Sequence, residues 1–277
     1  MMSKKKYPQW ILFSLVVIGV ALYVMPLYFS FISALKSNGE IMRDPTAMPK
    51  NWLNFDNFVF LFSKTSYPQA FLNSVFLTVA SELAILFVIP MTAYGIARGN
   101  KKVTPILYTV FLAAMIIPFQ VFMIALFKEL KVLGLYGNFG GPIMIYLSGS
   151  IPFGVLLFTS FLKTIPFEIE EAATIDGCGV FHTFWRIIFP LLKPVTASMI
   201  ILNGLNIWND FLMPMLVLPS HRAKTVNVEI FAFIDQFASR WDVVFAGVVC
   251  GLVPVFIVFV SLQKYFVKGL TTGAAKG

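Results

Sequence analysis

The chain has 277 residues, of which 58% are hydrophobic and 12% charged, and its net charge is +8. Soluble domains carry about 25% charged residues, so an ordinary cytosolic enzyme is excluded, as are a disordered chain and, with only two cysteines, a disulfide-built secreted domain. The excess of Lys and Arg is of the kind left on the cytoplasmic side of membrane proteins, and it is read that way, with no nucleic-acid partner.

A helix crosses the hydrocarbon core with about 20 mostly apolar residues. Taken in chain order, the sequence offers six such segments, at about 10–35, 67–97, 104–127, 140–162, 194–218 and 243–264. The fold class expected is therefore an all-α membrane protein with six transmembrane helices, one domain over 1–277. Barrel strands, about 10 residues long and alternating in polarity, do not match these runs. The first run follows Lys4, Lys5 and Lys6 and is far longer than a cleavable signal core, so it reads as a retained span with the N-terminus in the cytoplasm. Six crossings return the C-terminus to the same side, and the basic residues then divide twelve inside to nine outside. Two external segments, 36–64 and 221–242, are long enough for structure of their own.

Within the runs the acids are Glu82 and Asp210. An ionisable residue there is a functional candidate, a proton relay or cation ligand; the alternative is a hydrogen bond to a neighbouring helix or a place near an interface. Asn206, Asn209 and Asp210 make the middle of the fifth run polar and are candidates for a wet translocation path. Gly247 and Gly251, four apart, read as a close-packing face. There is no phosphate-binding loop, no nucleophile elbow and no His/Cys cluster with metal-ligand spacing, so no catalytic residue and no metal are assigned.

The most informative segment is the connection 163–193. Pro166 suits a first helical turn, Glu168, Glu170 and Glu171 lie at the positive end of the helix dipole, Ala172 and Ala173 keep the middle slim, and Gly177 and Gly179 stop it. A cytoplasmic helix of about 11 residues, about 16 Å long, follows. Its slim surface and defined stop fit insertion into a partner's cleft.

These residues also carry a resemblance. Glu171-Ala172-Ala173, Gly177 and Ile187-Ile188-Phe189-Pro190 resemble the E-A-A-x3-G-x9-I-x-L-P motif of binding-protein-dependent ABC importer permeases, with Phe189 in place of the usual Leu. The string from Ile165 to Gly177, Ala93-Tyr94-Gly95-Ile96-Ala97-Arg98, Trp208-Asn209-Asp210-Phe211 and the tail 269–277 are similar to the carbohydrate, maltose-type branch, in its shorter subunit. The resemblance implies a multi-pass permease of a prokaryotic inner or plasma membrane. It implies a second, different permease subunit, a cytoplasmic ATP-binding subunit dimer, an extracytoplasmic solute-binding protein and a sugar or oligosaccharide substrate. No cofactor would be bound by this chain; ATP and Mg would sit on the ATPase subunits.

By the same resemblance Glu171, Ala172, Ala173, Asp176, Gly177 and Pro190 would contact the ATPase, as would Gly273, Lys276 and Gly277 in a tail expected to be mobile until bound. Phe231, Phe233 and Phe237 would meet the binding protein. The competing reading is an ion-coupled secondary transporter using Glu82 or Asp210, with uptake that survives loss of the ATPase. A membrane-embedded enzyme would instead turn over by itself.

Overall fold

The computed structural model describes residues 9–220, 223–236 and 240–274. The chain divides into two compact units: residues up to Pro68 with Glu229–Val253, and Gln69–Val228 with residues from Pro254 on.

The first unit opens with α1 (Gln9–Ala34), uncharged over its whole length, with Ile32 its first buried residue. The segment after it has structure of its own, α2 (Asn38–Arg43) and α3 (Asp56–Lys64). Ser37 and Glu40 form a reciprocal capping box at the start of α2: the Ser37 N–H donates to Glu40 Oε2 at 2.9 Å and the Glu40 N–H to Ser37 Oγ at 3.4 Å. The buried Asn57 amide donates to the carbonyls of Ala34 and Lys36, both at 2.8 Å, satisfying groups that the end of α1 leaves open. Lys36, also buried, donates its ammonium to the Pro45 carbonyl at 2.9 Å.

The segment after α12 likewise carries a helix, α13 (Val226–Gln236), and is followed by α14 (Trp241–Ala274). Within this unit Tyr67 Oη donates to the Gly247 carbonyl at 2.8 Å, and a side chain at Gly247 would begin 3.2 Å from Ile230. The small residue permits close approach, the packing role expected of it. Arg240 donates two hydrogen bonds to Asp242 and stacks over Phe60, and the Asp242 carboxylate holds its guanidinium above the ordinary range.

The second unit contains α4 (Tyr67–Arg98) from Gln69 on, α5 (Thr104–Ala114), α6 (Phe119–Val132) and α7 (Gly140–Leu162). These are followed by α8 (Glu168–Ile175), α9 (Val180–Thr183), a π-helical turn at Phe184–Ile188 and α10 (Phe189–Leu191). The last two helices wholly in this unit are α11 (Lys193–Asn209) and α12 (Leu212–Val217). Its core is built at helical spacing from Ile85, Ile89 and Ala93 of α4, Val155, Phe158 and Leu162 of α7, and Leu192, Val195 and Met199 around α11. Gly154 brings three helices together: a Cβ there would lie 2.6 Å from Ile89 and 2.7 Å from Met199.

Among the described residues, four helices have the length and apolarity of membrane spans: Trp10–Ala34, Tyr67–Arg98, Gly140–Leu162 and Trp241–Lys264. The number rises to six if two bent pairs each count as one span: Thr104–Ala114 with Phe119–Val132, bent by 99°, and Val180–Leu191 with Lys193–Asn209, bent by 77°. Two expected helices are therefore corrected. The run 104–127 breaks at Met115–Pro118, because Pro118 adopts an extended ψ of 135° and disfavours helix in the residue before it. The run 194–218 ends at Asn209, where Asp210 turns extended with a ψ of 126°. In the tail, α14 continues to Ala274, so 269–274 is helical.

Candidate functional site

The connection between α7 and α11 is the site with most structure. Its helix α8 has 8 residues, shorter than expected, because Pro166 stays outside and Phe167 is the N-cap. Glu168, Glu170 and Glu171 occupy the first turn, as the dipole favours. The end is a Schellman closure: the Gly177 N–H donates to the Thr174 carbonyl at 3.0 Å and the Cys178 N–H to the Ala173 carbonyl at 2.9 Å. Gly177 sits at φ +79°, where a Cβ is strained. Gly179 has a different job from the one expected, since its φ of −73° is ordinary and it caps the start of α9.

One face of α8 is tied down and the other is free to solvent. Glu170 is buried and accepts from Tyr94 Oη at 2.7 Å and from Arg98 Nε at 2.7 Å. Arg98 also donates to the Ile165 carbonyl at 2.8 Å and stacks over Phe167. Tyr94 and Arg98 lie one turn apart at the end of α4, so this ion pair fastens α8 to α4. Beyond α8, Trp185 stacks on Phe87 of α4 with ring centroids 5.7 Å apart, and Phe184 lies against Tyr94 at 5.0 Å. The hairpin is thus held to α4 at two places. Glu171, Ala172, Asp176 and Gly177 are exposed while Ala173 is buried against the hairpin; Pro190 is exposed in the first turn of α10. An open cleft of about 850 Å³ lies beside them, lined by Gly95, Gly99, Glu171 and Thr174 among others.

The other candidates lie on other elements. Asn206 and Asn209 are exposed on α11. Asp210 is half-buried with a local role: Oδ1 accepts from the N–H groups of Leu212 and Met213 at 2.9 and 3.3 Å, starting α12, and Oδ2 accepts from Tyr146 Oη at 2.9 Å. Phe231 is exposed, whereas Phe233 is fully buried and is corrected from a surface contact to a core residue. Phe237, Lys276 and Gly277 lie outside the described residues, and Gly273 falls in the last turns of α14. The Tyr94–Arg98–Glu170 triad was not singled out from sequence. Its only signal there is the i, i+4 pairing of Tyr94 and Arg98 on one face of a helix end.

Apolar helices joined by a surface-facing helical hairpin define, among the described residues, an all-α, multi-pass membrane fold. The chain belongs to the family of binding-protein-dependent transport system inner membrane components, whose family model matches residues 87–272. It is 34% identical to the probable starch degradation products transport system permease AmyC of Thermoanaerobacterium thermosulfurigenes, over 99% of this chain and 100% of that one. The arabinooligosaccharides transport system permease AraQ of Bacillus subtilis is 34% identical over 92% of each chain. The multiple sugar-binding transport system permease MsmG of Streptococcus mutans is 32% identical over the full length of both. Among solved structures, a chain of a bacterial ABC transporter that imports the acidic polysaccharide alginate shares the fold, with a TM-score of 0.84 at 22% identity, covering 96% of this chain and 99% of that one.

Proposed function

We propose that this chain is one of two different permease subunits of an ATP-driven importer, forming half of the membrane path for a sugar or oligosaccharide. Its N- and C-termini face the cytoplasm. The sugar assignment rests on the relatives, whose names attach starch products, arabinooligosaccharides and multiple sugars to their transport systems. The ATPase dimer holds ATP and Mg, this chain performs no covalent chemistry, and an extracytoplasmic binding protein delivers the solute.

The observation that carries this reading is the two-faced α8. Glu171 and Ala172 are exposed for a partner, while Glu170 is locked to Arg98 of α4. A push on the outer face is therefore delivered directly to a membrane-spanning helix. Closure of the ATPase dimer would draw α8 inward and turn the helix bundle from inward-facing to outward-facing. Gly177, by ending α8 sharply, keeps it short enough to seat in a cleft.

The test uses the assembled transporter. Glu171→Lys sets like charge against a basic partner, where close charge pairs contribute about 1.5–7 kcal/mol, and Gly177→Asp places a side chain at a left-handed position. Both variants should insert normally yet release the ATPase or lose solute-stimulated ATP hydrolysis. Normal assembly and transport in both would remove the coupling role of α8.

A further inference from the structure

The end of α4, the start of α5 and the end of α7 meet around an open cavity of about 610 Å³. Arg98 closes the span Tyr67–Arg98 and donates to the Ile165 carbonyl at 2.8 Å, just past Leu162, where the span Gly140–Leu162 closes. The first of these spans has 32 residues, so it is about 48 Å long at 1.5 Å per residue, against a hydrocarbon core of about 30 Å. Its last turns therefore pass out of the hydrocarbon, and the cavity lies at the depth of the lipid headgroups.

The wall carries Arg98, Lys101 and Lys163 and neither Asp nor Glu. Arg98 is already matched, since its Nε donates to Glu170 at 2.7 Å. The two lysines are not: among the described residues neither has an acid within ion-pair distance. The Lys163 ammonium rests over the Tyr108 ring, 5.4 Å from its centroid, and the buried Thr159 hydroxyl in the same wall has no partner. Two unmatched cations and a spare hydroxyl, with no acid beside them, attract an anion.

The surroundings narrow which anion. From the cavity α5 leads on as an apolar surface: Ile106, Leu107 and Val110 are all exposed, and no residue of α5 is buried. A free anion gains nothing from that surface, whereas an acyl chain does. The wall also selects the headgroup. A zwitterionic lipid brings an ammonium with its phosphate, and here that ammonium would find lysines and no carboxylate. An anionic phospholipid brings none.

We propose that this cavity binds the phosphate of an anionic phospholipid, with Lys101 and Lys163 as its cationic contacts and the acyl chains running along α5. Basic pockets between membrane helices hold such headgroups in general. The proposal stands on α4 and α7 spanning the membrane and is independent of the coupling role of α8.

Native mass spectrometry of the purified full chain, titrated with phosphatidylglycerol or with phosphatidylethanolamine of the same acyl chains, tests it. A lysine beside an anionic headgroup contributes about fivefold in affinity, so two should favour phosphatidylglycerol about 30-fold. Lys101→Gln/Lys163→Gln should bring the two lipids level, and Lys101→Arg/Lys163→Arg should keep the preference. Lys128→Gln/Lys131→Gln, on α6, should keep it as well. Equal binding of both lipids by the unaltered chain, or an undiminished preference in the first variant, overturns the proposal. An equal loss in the α6 variant also overturns it, since surface charge in general would then be responsible. Inorganic phosphate in excess should leave bound phosphatidylglycerol in place; its release would make this a free-anion site and overturn the lipid assignment. If the first variant keeps the lipid and instead fails to recover the ATPase subunits, the lysines meet an acidic protein segment and the proposal falls.

Discussion

Glu170 and Glu171 are neighbours in sequence and opposites in circumstance, one buried on an arginine and the other exposed. Three acids in a first helical turn read alike from the sequence, and only the rotation of about 100° between successive residues separates them once α8 is docked. Breaking a buried ion pair from one side costs about 3–5 kcal/mol. Glu170→Ala should therefore lower the thermal stability of the purified protein and speed proteolysis within 163–193, while the Arg98→Met/Glu170→Leu pair should recover much of the loss. Glu40 gives a pH-dependent case. The Ser37 N–H holds its carboxyl below the usual carboxylate range, with burial opposing and the Ser37 hydroxyl assisting. The α2 cap is thus fully formed above the unfolded value and is lost as pH falls through the folded one. Protection of the amides across 38–43, relative to their intrinsic exchange rates, should fall in that acid window, and Ser37→Ala, at a cost of about 1 kcal/mol, should lower that protection already at neutral pH.

The helices were legible from the sequence where apolar runs are long and uninterrupted, as in α1, α4, α7 and α14, because length and hydropathy alone decide whether a helix is needed there. Gly177 was legible as well, since a left-handed stop has few residues to choose from. The breaks were not. Pro26, Pro90, Pro152 and Pro254 all lie inside intact helices, whereas Pro118 begins a new one, and the difference depends on neighbours that a single sequence does not display. Asp210 shows the same limit: its polarity was visible, but its service to α12 and Tyr146 follows from where the chain turns. The two glycines flanking Cys178 permit a direct comparison. Gly177→Ala should cost about 1–2 kcal/mol at its positive φ, fray the end of α8 and depress coupled ATP hydrolysis. Gly179→Ala, in an ordinary conformation with open space around it, should leave hydrolysis unchanged.

At the scale of the molecule, membership in the family fixes a multi-pass permease, and the sidedness of the loops follows from the proposed orientation. Single cysteines at Lys101 and Phe181 should react only from the cytoplasm, and those at Asp56 and Lys224 only from outside; a reversed pattern would invert the arrangement. The division into two units was invisible in the sequence, because α4, α13 and α14 are each continuous helices that contribute to both. Deleting Thr271–Gly277 should spare insertion and assembly yet weaken coupling to the ATPase, which assays of solute-stimulated hydrolysis would register.

The elbow between α5 and α6 bears on how the protein is made. The two arms, of 11 and 14 residues, rise about 16 and 21 Å at 1.5 Å per residue, against a hydrocarbon core of about 30 Å. Neither arm reaches across by itself, so if the bent pair is one span, the uncharged stretch 104–127 would be received by the bilayer as one straight segment as the chain leaves the ribosome. The bend would then form afterwards, once neighbouring helices can take up the backbone groups that Met115–Pro118 releases. A nascent chain halted just after Ala114 should leave this segment unanchored, and one halted past Phe127 should hold it firmly, although the finished protein shows a break between the two points.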